Sequence, residues 1–335
     1  MKSKNRKKTK EIIICRLLIV ALSAPIFLPP HSIRVTAGQL SDISITTQTE
    51  LEALLTNARD NIASYHTVFK DLAAEETKTV EIYEKPGALS GKRRIVSDFI
   101  VYQSQRDPAA MTEYRNVREV EGVAVSRRDE RAIKLFERLA KADSIIKELN
   151  RIHREGSRYD FGWKYEGFTL LRGLPLQKDI ETSFNFEVEG REQINGHDVI
   201  VVRFRPTPQS PNPRVSVDWL SDFKLSDPRY MGRLWVDAQT AHLWREEVEL
   251  VMCSSTAPDP LVVSRFEFQY APSSFEVWVP ERMVFSVFSP VKLIAGKAPE
   301  MYLRGRTINE YTSFKRFDVK VQEKGVPPNQ PSRPN

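Results

Sequence analysis

Apolar and polar residues recur along this chain with a helical period in two segments and with strict alternation over most of the rest. Residues 49–64 carry apolar side chains at helical spacing, which predicts an amphipathic helix: Leu51, Leu54, Leu55, Ala58, Ile62 and Tyr65. A second stripe predicts one long helix over residues 129–154: Ile133, Phe136, Leu139, Ile145, Leu149 and Ile152. Gly156 is placed to end this second helix.

The alternating segments predict β-strands, because successive side chains of a strand point to opposite faces. They cover residues 76–83, 93–103, 113–120, 183–189, 198–205, 232–237, 242–251, 261–270, 277–289 and 302–321. Asn195-Gly196 between apolar runs is a strong hairpin signal. Short turns between about ten to twelve strands predict an α+β fold with a large antiparallel sheet, covered on one face by the two helices.

One face of the later strands is conspicuously apolar and aromatic. The residues that we expect on it are Phe184, Phe186, Trp244, Val248, Leu250, Phe266, Phe268 and Tyr270. Only Glu246 interrupts this face. Such a face is either an ordinary packed core or the lining of an apolar ligand cavity, and two helices over so wide a sheet favour a cavity.

The two ends of the chain differ from the rest. Residues 1–37 run from a basic stretch through an apolar stretch to Val35-Thr-Ala37, which predicts a cleaved secretory signal peptide. The apolar run is too short for a membrane span of about 20 residues. Residues 38–48 then form a linker, residues 49–322 the folded domain, and residues 323–335 a proline-rich disordered tail. We therefore expect a periplasmic protein, with an extracellular location as the alternative.

Removal of the signal peptide changes the charge of the protein. The chain carries 50 basic and 44 acidic residues. The first 37 residues contain eight of the basic residues and one of the acidic residues. The remaining 298 residues carry 42 basic and 43 acidic residues, a net charge of −1. This balance gives no electrostatic basis for binding nucleic acid. Cys253 alone remains as a cysteine, and the preceding Val251 and Met252 favour its burial.

The sequence contains no recognisable catalytic or metal-binding constellation. The histidines lack metal-ligand spacing, and no nucleophile elbow, phosphate loop or dinucleotide motif occurs. Glu75-Glu76 and Glu246-Glu247 are adjacent in predicted strands, so the members of each pair point to opposite faces and cannot act together. We expect no cofactor, no metal and no enzymatic activity.

Three segments resemble the LolA-like periplasmic lipoprotein carriers. Ile62-Ala-Ser-Tyr-His-Thr-Val-Phe69 is similar to their junction between the first helix and the first strand. Gly232-Arg-Leu-Trp-Val-Asp237, followed by Leu243-Trp-Arg-Glu-Glu247, is similar to a hairpin of that superfamily, and Tyr311-Thr-Ser-Phe314-Lys-Arg-Phe317 to its closing strand. The resemblance implies an incomplete antiparallel barrel with helices over its concave face, an apolar cavity, and no cofactor or catalysis. This chain is longer than those carriers and adds the helical segment near residues 129–154.

Two main functions follow from these expectations. The first is an exported protein that holds a hydrophobic ligand, such as a lipid, an acyl chain or a lipoprotein. The second is an envelope sensor or scaffold that binds a partner protein, such as a membrane protein, through the same sheet. A hydrolase with an unrecognised site is a third possibility.

Overall fold

The computed structural model describes residues 47–69, 72–103, 111–142, 145–161, 172–178, 180–208, 210, 225–254, 259–275, 277–291 and 300–316. The predicted signal peptide, most of the linker and the tail lie outside these residues. The described helices are α1 (Gln48–Phe69), α2 (Arg128–Lys141) and α3 (Ile145–Gly156), with two short 3-10 helices at Leu174–Leu176 and Glu181–Ser183. Among the described residues, no helix is both long and apolar enough to cross a membrane.

Eleven strands form one antiparallel sheet. They are β1 (Leu72–Lys85), β2 (Ala88–Gln103), β3 (Met111–Val120), β4 (Val123–Ala124), β5 (Phe184–Ile194), β6 (His197–Pro206), β7 (Leu225–Asp237), β8 (Leu243–Ser254), β9 (Leu261–Pro272), β10 (Trp278–Pro290) and β11 (Met301–Arg316). The predicted strands and their number are confirmed within the described residues, and residues 317–321 of the last predicted strand lie outside them. Asn195 and Gly196 form the β5–β6 turn with φ values of 51° and 82°, as the hairpin signal predicts.

The sheet is open, with β4 at one edge and β5 at the other. Its order is β4-β3-β2-β1-β11-β10-β9-β8-β7-β6-β5. The last strand therefore lies between β1 and β10, and it joins the N-terminal hairpins to the C-terminal meander. Side chains of all the long strands thus contribute to two continuous faces.

Helix α1 covers one of these faces, which we call the α1 face. The buried residues of α1 pack in one cluster with residues from both halves of the sheet. Ala74 and Phe99 belong to this cluster, whereas their neighbours Ala73 and Ile100 do not. Alternate residues of β1 and β2 therefore point to opposite faces of the sheet, and each face is buried in its own cluster.

Helices α2 and α3 contradict two sequence predictions. They are two helices rather than one, because Ala142 after α2 adopts extended backbone angles (φ −72°, ψ 142°). They also pack on the face opposite α1: Leu135, Leu139, Leu149 and Ile152 are clustered with Ala73, Ile100 and Tyr114. Arg128 of α2 pairs there with Asp98 at 2.8 Å. The amphipathic stripe predicts a buried helix face, but it cannot specify which side of the sheet buries it.

The segment after α3 returns to the α1 face. Lys78 Nζ donates to Asp160 Oδ2 at 2.8 Å, and Arg93 Nη1 donates to the carbonyl oxygen of Tyr159 at 2.8 Å. Lys78 has the same parity in β1 as Ala74, so its side chain lies on the α1 face. The chain therefore passes around the β3 side of the sheet between α2 and Asp160.

Cys253 is exposed, so the expectation of a buried thiol is wrong. It lies next to last in β8, opposite Ser226 of β7. Met252 before it is buried. Alternate residues of a strand face opposite sides, so an apolar neighbour does not predict burial.

Candidate ligand-binding face

The apolar part of the α1 face is a packed core in the described residues. Helix α1 contributes six buried residues to it: Leu51, Leu54, Leu55, Ala58, Ile62 and Tyr65. Two polar contacts hold this helix to neighbouring loops. Asn61 Nδ2 donates to the carbonyl oxygen of Thr240 at 2.9 Å, and Arg59 pairs with Glu181 at 2.5 Å.

Six of the eight residues predicted for the apolar face lie in this α1 cluster: Phe184, Phe186, Val248, Phe266, Phe268 and Tyr270. Phe268 and Tyr270 are each 2% exposed. Leu250 belongs to a smaller cluster with Met252 and Val263, and Tyr230 packs against both clusters. The alternation of β5, β8 and β9 thus predicts the shared face of seven residues. Their predicted role in ligand binding stays a prediction.

Trp244 is the exception, because it lies on the opposite face. Leu243 pairs with Val236, whereas Arg245 pairs with Trp235, so β8 contains one extra residue at Trp244. Trp244 consequently packs with Val199, Val201 and Trp235. This single bulge places Trp244 on the face opposite to the one that strict alternation predicts. No glycine or proline in β8 indicates the position of the bulge in the sequence.

Gly232 and Asp237, in the segment that resembles the carrier hairpin, both have structural roles. A Cβ atom at Gly232 would lie 1.9 Å from the carbonyl oxygen of Glu247. Asp237 Oδ1 accepts hydrogen bonds from the backbone N–H groups of Gln239 (3.0 Å) and Thr240 (2.8 Å). Both residues therefore shape the β7–β8 hairpin.

Trp244→Phe should lower the free energy of unfolding by about 1 kcal/mol, the usual net value of one hydrogen bond. Trp244 Nε1 donates to Asp237 Oδ2 at 3.2 Å, and Asp237 is buried. Trp235→Phe is the matched control, because Trp235 Nε1 donates to the exposed Glu192. Urea denaturation of both variants should show the larger loss for Trp244→Phe. Equal losses would contradict this role of Asp237.

Glu246 interrupts the apolar face because it fixes a loop above the sheet. Its carboxylate is fully buried and accepts hydrogen bonds from Gly173 N (2.8 Å), Leu174 N (3.1 Å) and Tyr270 Oη (3.3 Å). Gly173 has a φ of 64°, and a Cβ atom there would lie 2.2 Å from Ile62 Cδ1 of α1. The loop therefore fits closely between Glu246 and α1.

Arg172 compensates the buried charge of Glu246. Its guanidinium lies over the rings of Tyr65 (4.6 Å) and Tyr270 (4.2 Å), and Nη1 donates to the carbonyl oxygen of Trp278 at 2.5 Å. Burial raises the pKa of Glu246 to about 7, although the hydrogen bonds and Arg172 act in the opposite direction. Burial also lowers the pKa of Arg172. This cluster joins α1, the 172–176 loop and the sheet.

The other half of the α1 face is polar although it is buried. We call this region the polar patch, and it consists of Glu76, Lys78, Ser97, Glu113, Arg115, Asp160, Thr307 and Asn309. Arg115 makes two hydrogen bonds to Glu76, at 2.6 and 2.9 Å, and one to Glu113 at 2.9 Å. Burial alone would raise the pKa of Glu76, but Arg115 and Lys78 outweigh it and hold this pKa below its usual value.

His153 of α3 adjoins this patch without carrying charge near neutral pH. Burial, together with the positive charges of Arg115 and Lys78, lowers its pKa to about 4. The patch itself therefore contains three acidic and two basic side chains. Among the described residues, no three His, Cys, Asp or Glu side chains are grouped so that they could hold a metal ion.

Four oxygen atoms of the polar patch are buried without a hydrogen-bond partner among the residues that the structure describes. They are Ser97 Oγ, Asp160 Oδ1, Thr307 Oγ1 and Asn309 Oδ1. Their residues are between 1% and 3% exposed. A buried polar atom without a partner costs about 1–3 kcal/mol, so four in one region form an unusual concentration.

Sequence reasoning missed the polar patch entirely. Glu76 and Lys78 carry no sequence signal of burial, because the neighbouring Thr77 and Thr79 on the other face of β1 are also polar. Thr307 and Asn309 likewise carry no sequence signal of burial in β11. Polar residues on a buried face have the same alternation as polar residues on an exposed face, so only the register of the strands reveals them. The opposed orientations of Glu75 and Glu76 are confirmed, since Glu75 contacts Arg118 away from Arg115.

No family model matches the sequence, and no curated protein matches it. Among solved structures, a LolA superfamily protein from Nitrosomonas europaea has a TM-score of 0.29 and 10% identity, covering 80% of this chain and 94% of its own. An outer membrane lipoprotein-sorting protein domain from Vibrio parahaemolyticus has a TM-score of 0.33 and 12% identity, covering 83% and 95%. A MucA/MucB complex from Pseudomonas aeruginosa contributes a chain with a TM-score of 0.20 and 12% identity, covering 78% and 100%.

Two of these structures are named for the LolA superfamily and for lipoprotein sorting, as the carriers that the sequence resembles are. TM-scores and identities this low assign neither a family nor an activity to the chain. Its function has to be inferred from its own residues.

Proposed function

We propose that this protein is an exported, non-enzymatic binding protein that holds an amphiphilic lipid or acyl chain against the α1 face. One observation carries the proposal: this face combines an apolar half with a buried polar half that contains oxygen atoms without partners. A molecule with an acyl chain and a polar group is complementary to such a surface. An apolar face alone would equally fit an ordinary core.

The two halves adjoin where β10 meets β11. Met283 pairs with Asn309, and Phe285 pairs with Thr307. Met283 belongs to the α1 cluster, and Phe285 stacks on Phe266 with ring centroids 4.4 Å apart. A ligand that crosses this boundary would meet apolar groups on one side and hydrogen-bonding groups on the other.

Access to this face requires α1 to move, because its residues fill the apolar half. The helix is held to loops by Asn61 and Arg59, and to the sheet by apolar packing. An acyl chain would replace that apolar packing with packing of the same kind, so the exchange costs little hydrophobic free energy. Export, a periplasmic location and the absence of catalysis are parts of the same proposal.

Fixing α1 in place should prevent ligand uptake. We expect a Cys253→Ser background with Asn61→Cys and Thr240→Cys, joined by a cleavable bismaleimide, to bind a fluorescent fatty acid at least about tenfold more weakly than the unlinked form. Cleavage of the linker should restore binding. The unlinked double variant is the matched control, since it carries the same substitutions.

Two outcomes would contradict the proposal. If the unlinked protein binds no fatty acid or phospholipid at all, it is not an amphiphile carrier. If the linked and unlinked forms bind equally, the ligand does not enter beneath α1. Lipid-independent capture of one membrane protein by the same preparations would favour the sensor or scaffold function instead.

A further inference from the structure

The polar patch gives information about the polar group of the ligand. Asp160 Oδ1 and Asn309 Oδ1 can only accept hydrogen bonds, and both are buried without a partner. The hydroxyls of Ser97 and Thr307 can also accept. The patch therefore presents more acceptors than its own donors satisfy, and a complementary group would supply hydrogen-bond donors.

Three of these oxygens converge around one side chain. Asn309 lies directly opposite Lys78 in the β1–β11 pairing, so their Cα atoms are about 5 Å apart. Thr307 is two positions away on the same face of β11, a separation of about 7 Å. Asp160 is held close by its 2.8 Å bond to Lys78 Nζ. The three residues therefore share one small region of the patch.

The charges of the patch indicate which kind of hydrogen-bond donor a ligand should carry. Glu76, Glu113 and Asp160 supply three negative charges, and Lys78 with Arg115 supplies two positive charges. The imidazole of His153 adds none near neutral pH. The acidic side chains of the patch outnumber its basic ones by one, and Arg93 on the same face of β2 donates to the carbonyl oxygen of Tyr159, so the unpartnered oxygen of Asp160 favours a cation over a phosphate or carboxylate. A primary ammonium combines a positive charge with three donors.

We infer that the polar patch binds the primary ammonium group of an amphiphile, with Asp160, Asn309 and Thr307 as its acceptors. This inference rests on the proposed function, because the acyl chain of the same molecule is taken to lie on the apolar half. Met283 and Phe285 are the β10 partners of Asn309 and Thr307, so the chain would leave the patch across these residues. An aminoethyl phosphate head group has this chemistry.

Lysophospholipids with one common acyl chain test the inference. Each is used to displace a fluorescent fatty acid from the protein, purified from cells that express the full chain. We expect the ethanolamine lipid to bind about tenfold more tightly than the choline lipid, a difference of about 1.4 kcal/mol. The choline head group has the same formal charges but no N–H donor. The glycerol lipid offers hydroxyl donors without a cation and should bind no better than the choline lipid.

Three variants locate the site. Thr307→Val and Asn309→Leu should abolish the preference for the ethanolamine lipid and leave the affinity for the choline lipid unchanged. Thr312→Val is the matched control, because Thr312 is exposed on the opposite side of β11 and should keep the full preference. In the free protein, Thr307→Val should equal or exceed the wild type in urea resistance, since it removes a buried hydroxyl without a partner.

The outcomes separate this inference from the proposed function. If the fatty acid binds but all three lipids displace it equally, the ammonium site is wrong and the carrier function stands. If the glycerol lipid is preferred, the ammonium assignment is also wrong. If Thr307→Val lowers urea resistance and the lipid preference stays, the hydroxyl is purely structural and the inference fails. Failure of every lipid and of the fatty acid to bind contradicts the proposed function itself.

Discussion

Phe268→Ala should lower the free energy of unfolding by about 3–5 kcal/mol, the cost of truncating a buried phenylalanine. Phe268 is 2% exposed and packs in the α1 cluster, stacked between Phe266 and Tyr270 at centroid distances of 6.5 and 6.0 Å. Its truncation would leave a void under α1 that the strand neighbours cannot fill. Urea denaturation followed by circular dichroism measures the loss.

Gln269→Ala is the matched control for this prediction. Gln269 is the next residue in β9, exposed on the opposite face, so its truncation should change stability by no more than about 0.5 kcal/mol. Phe268→Glu extends the test, because an ionised side chain without a partner should unfold a packed core. A folded Phe268→Glu protein that has lost only lipid binding would instead indicate a cavity at this position.

The strands could be predicted from the sequence because their alternation is local. In β9, Phe266, Phe268 and Tyr270 alternate with Glu267 and Gln269, and the structure separates them in the same way. The existence of α1 and the face that it buries also follow from its own stripe. These features depend only on side-chain period, which the sequence carries directly.

Other features depend on register and could not be predicted. The extra residue at Trp244 reverses the face of that side chain, and no glycine or proline marks it. The stripe of α2 and α3 predicts burial, but either side of the sheet would satisfy it. The pairing of β1 with β11, which assembles the polar patch from positions over 200 residues apart, has no local signal at all.

Glu246 illustrates how a residue that breaks a pattern carries information. The sequence marks it as the only acid on an apolar face, and burial of an acid requires partners. Those partners are backbone N–H groups of Gly173 and Leu174, which no side-chain pattern identifies. The sequence shows that Glu246 breaks the apolar pattern, but only the fold shows which groups bind its carboxylate.

The same residue gives the second large expected effect, a change in the pH dependence of stability. The pKa of Glu246 is about 7 in the folded protein and 4.5 in the unfolded chain. The folded state binds the proton more tightly, so this contribution is fully present below pH 4.5 and is lost as the pH rises through about 7. The shift corresponds to about 3 kcal/mol.

His153 has the opposite pH dependence in an overlapping window. Its pKa falls from 6.5 in the unfolded chain to about 4 in the folded protein. Its contribution is therefore fully present above pH 6.5 and is lost as the pH falls towards 4, again by about 3 kcal/mol. Between pH 4.5 and 6.5 the two slopes cancel, so these two groups together leave wild-type stability nearly level.

Single substitutions should reveal the two opposed slopes. Relative to the wild type, Glu246→Gln should lose stability steadily as the pH falls from 6.5 to 4.5, because only the His153 dependence remains. His153→Gln should lose stability as the pH rises over the same range, and the double variant should again be level. Glu76 and the other carboxylates are common to all four proteins, so their titration cancels from the differences. Urea denaturation at four pH values measures each slope, and parallel profiles for all four proteins would mean that neither group titrates with a shifted pKa.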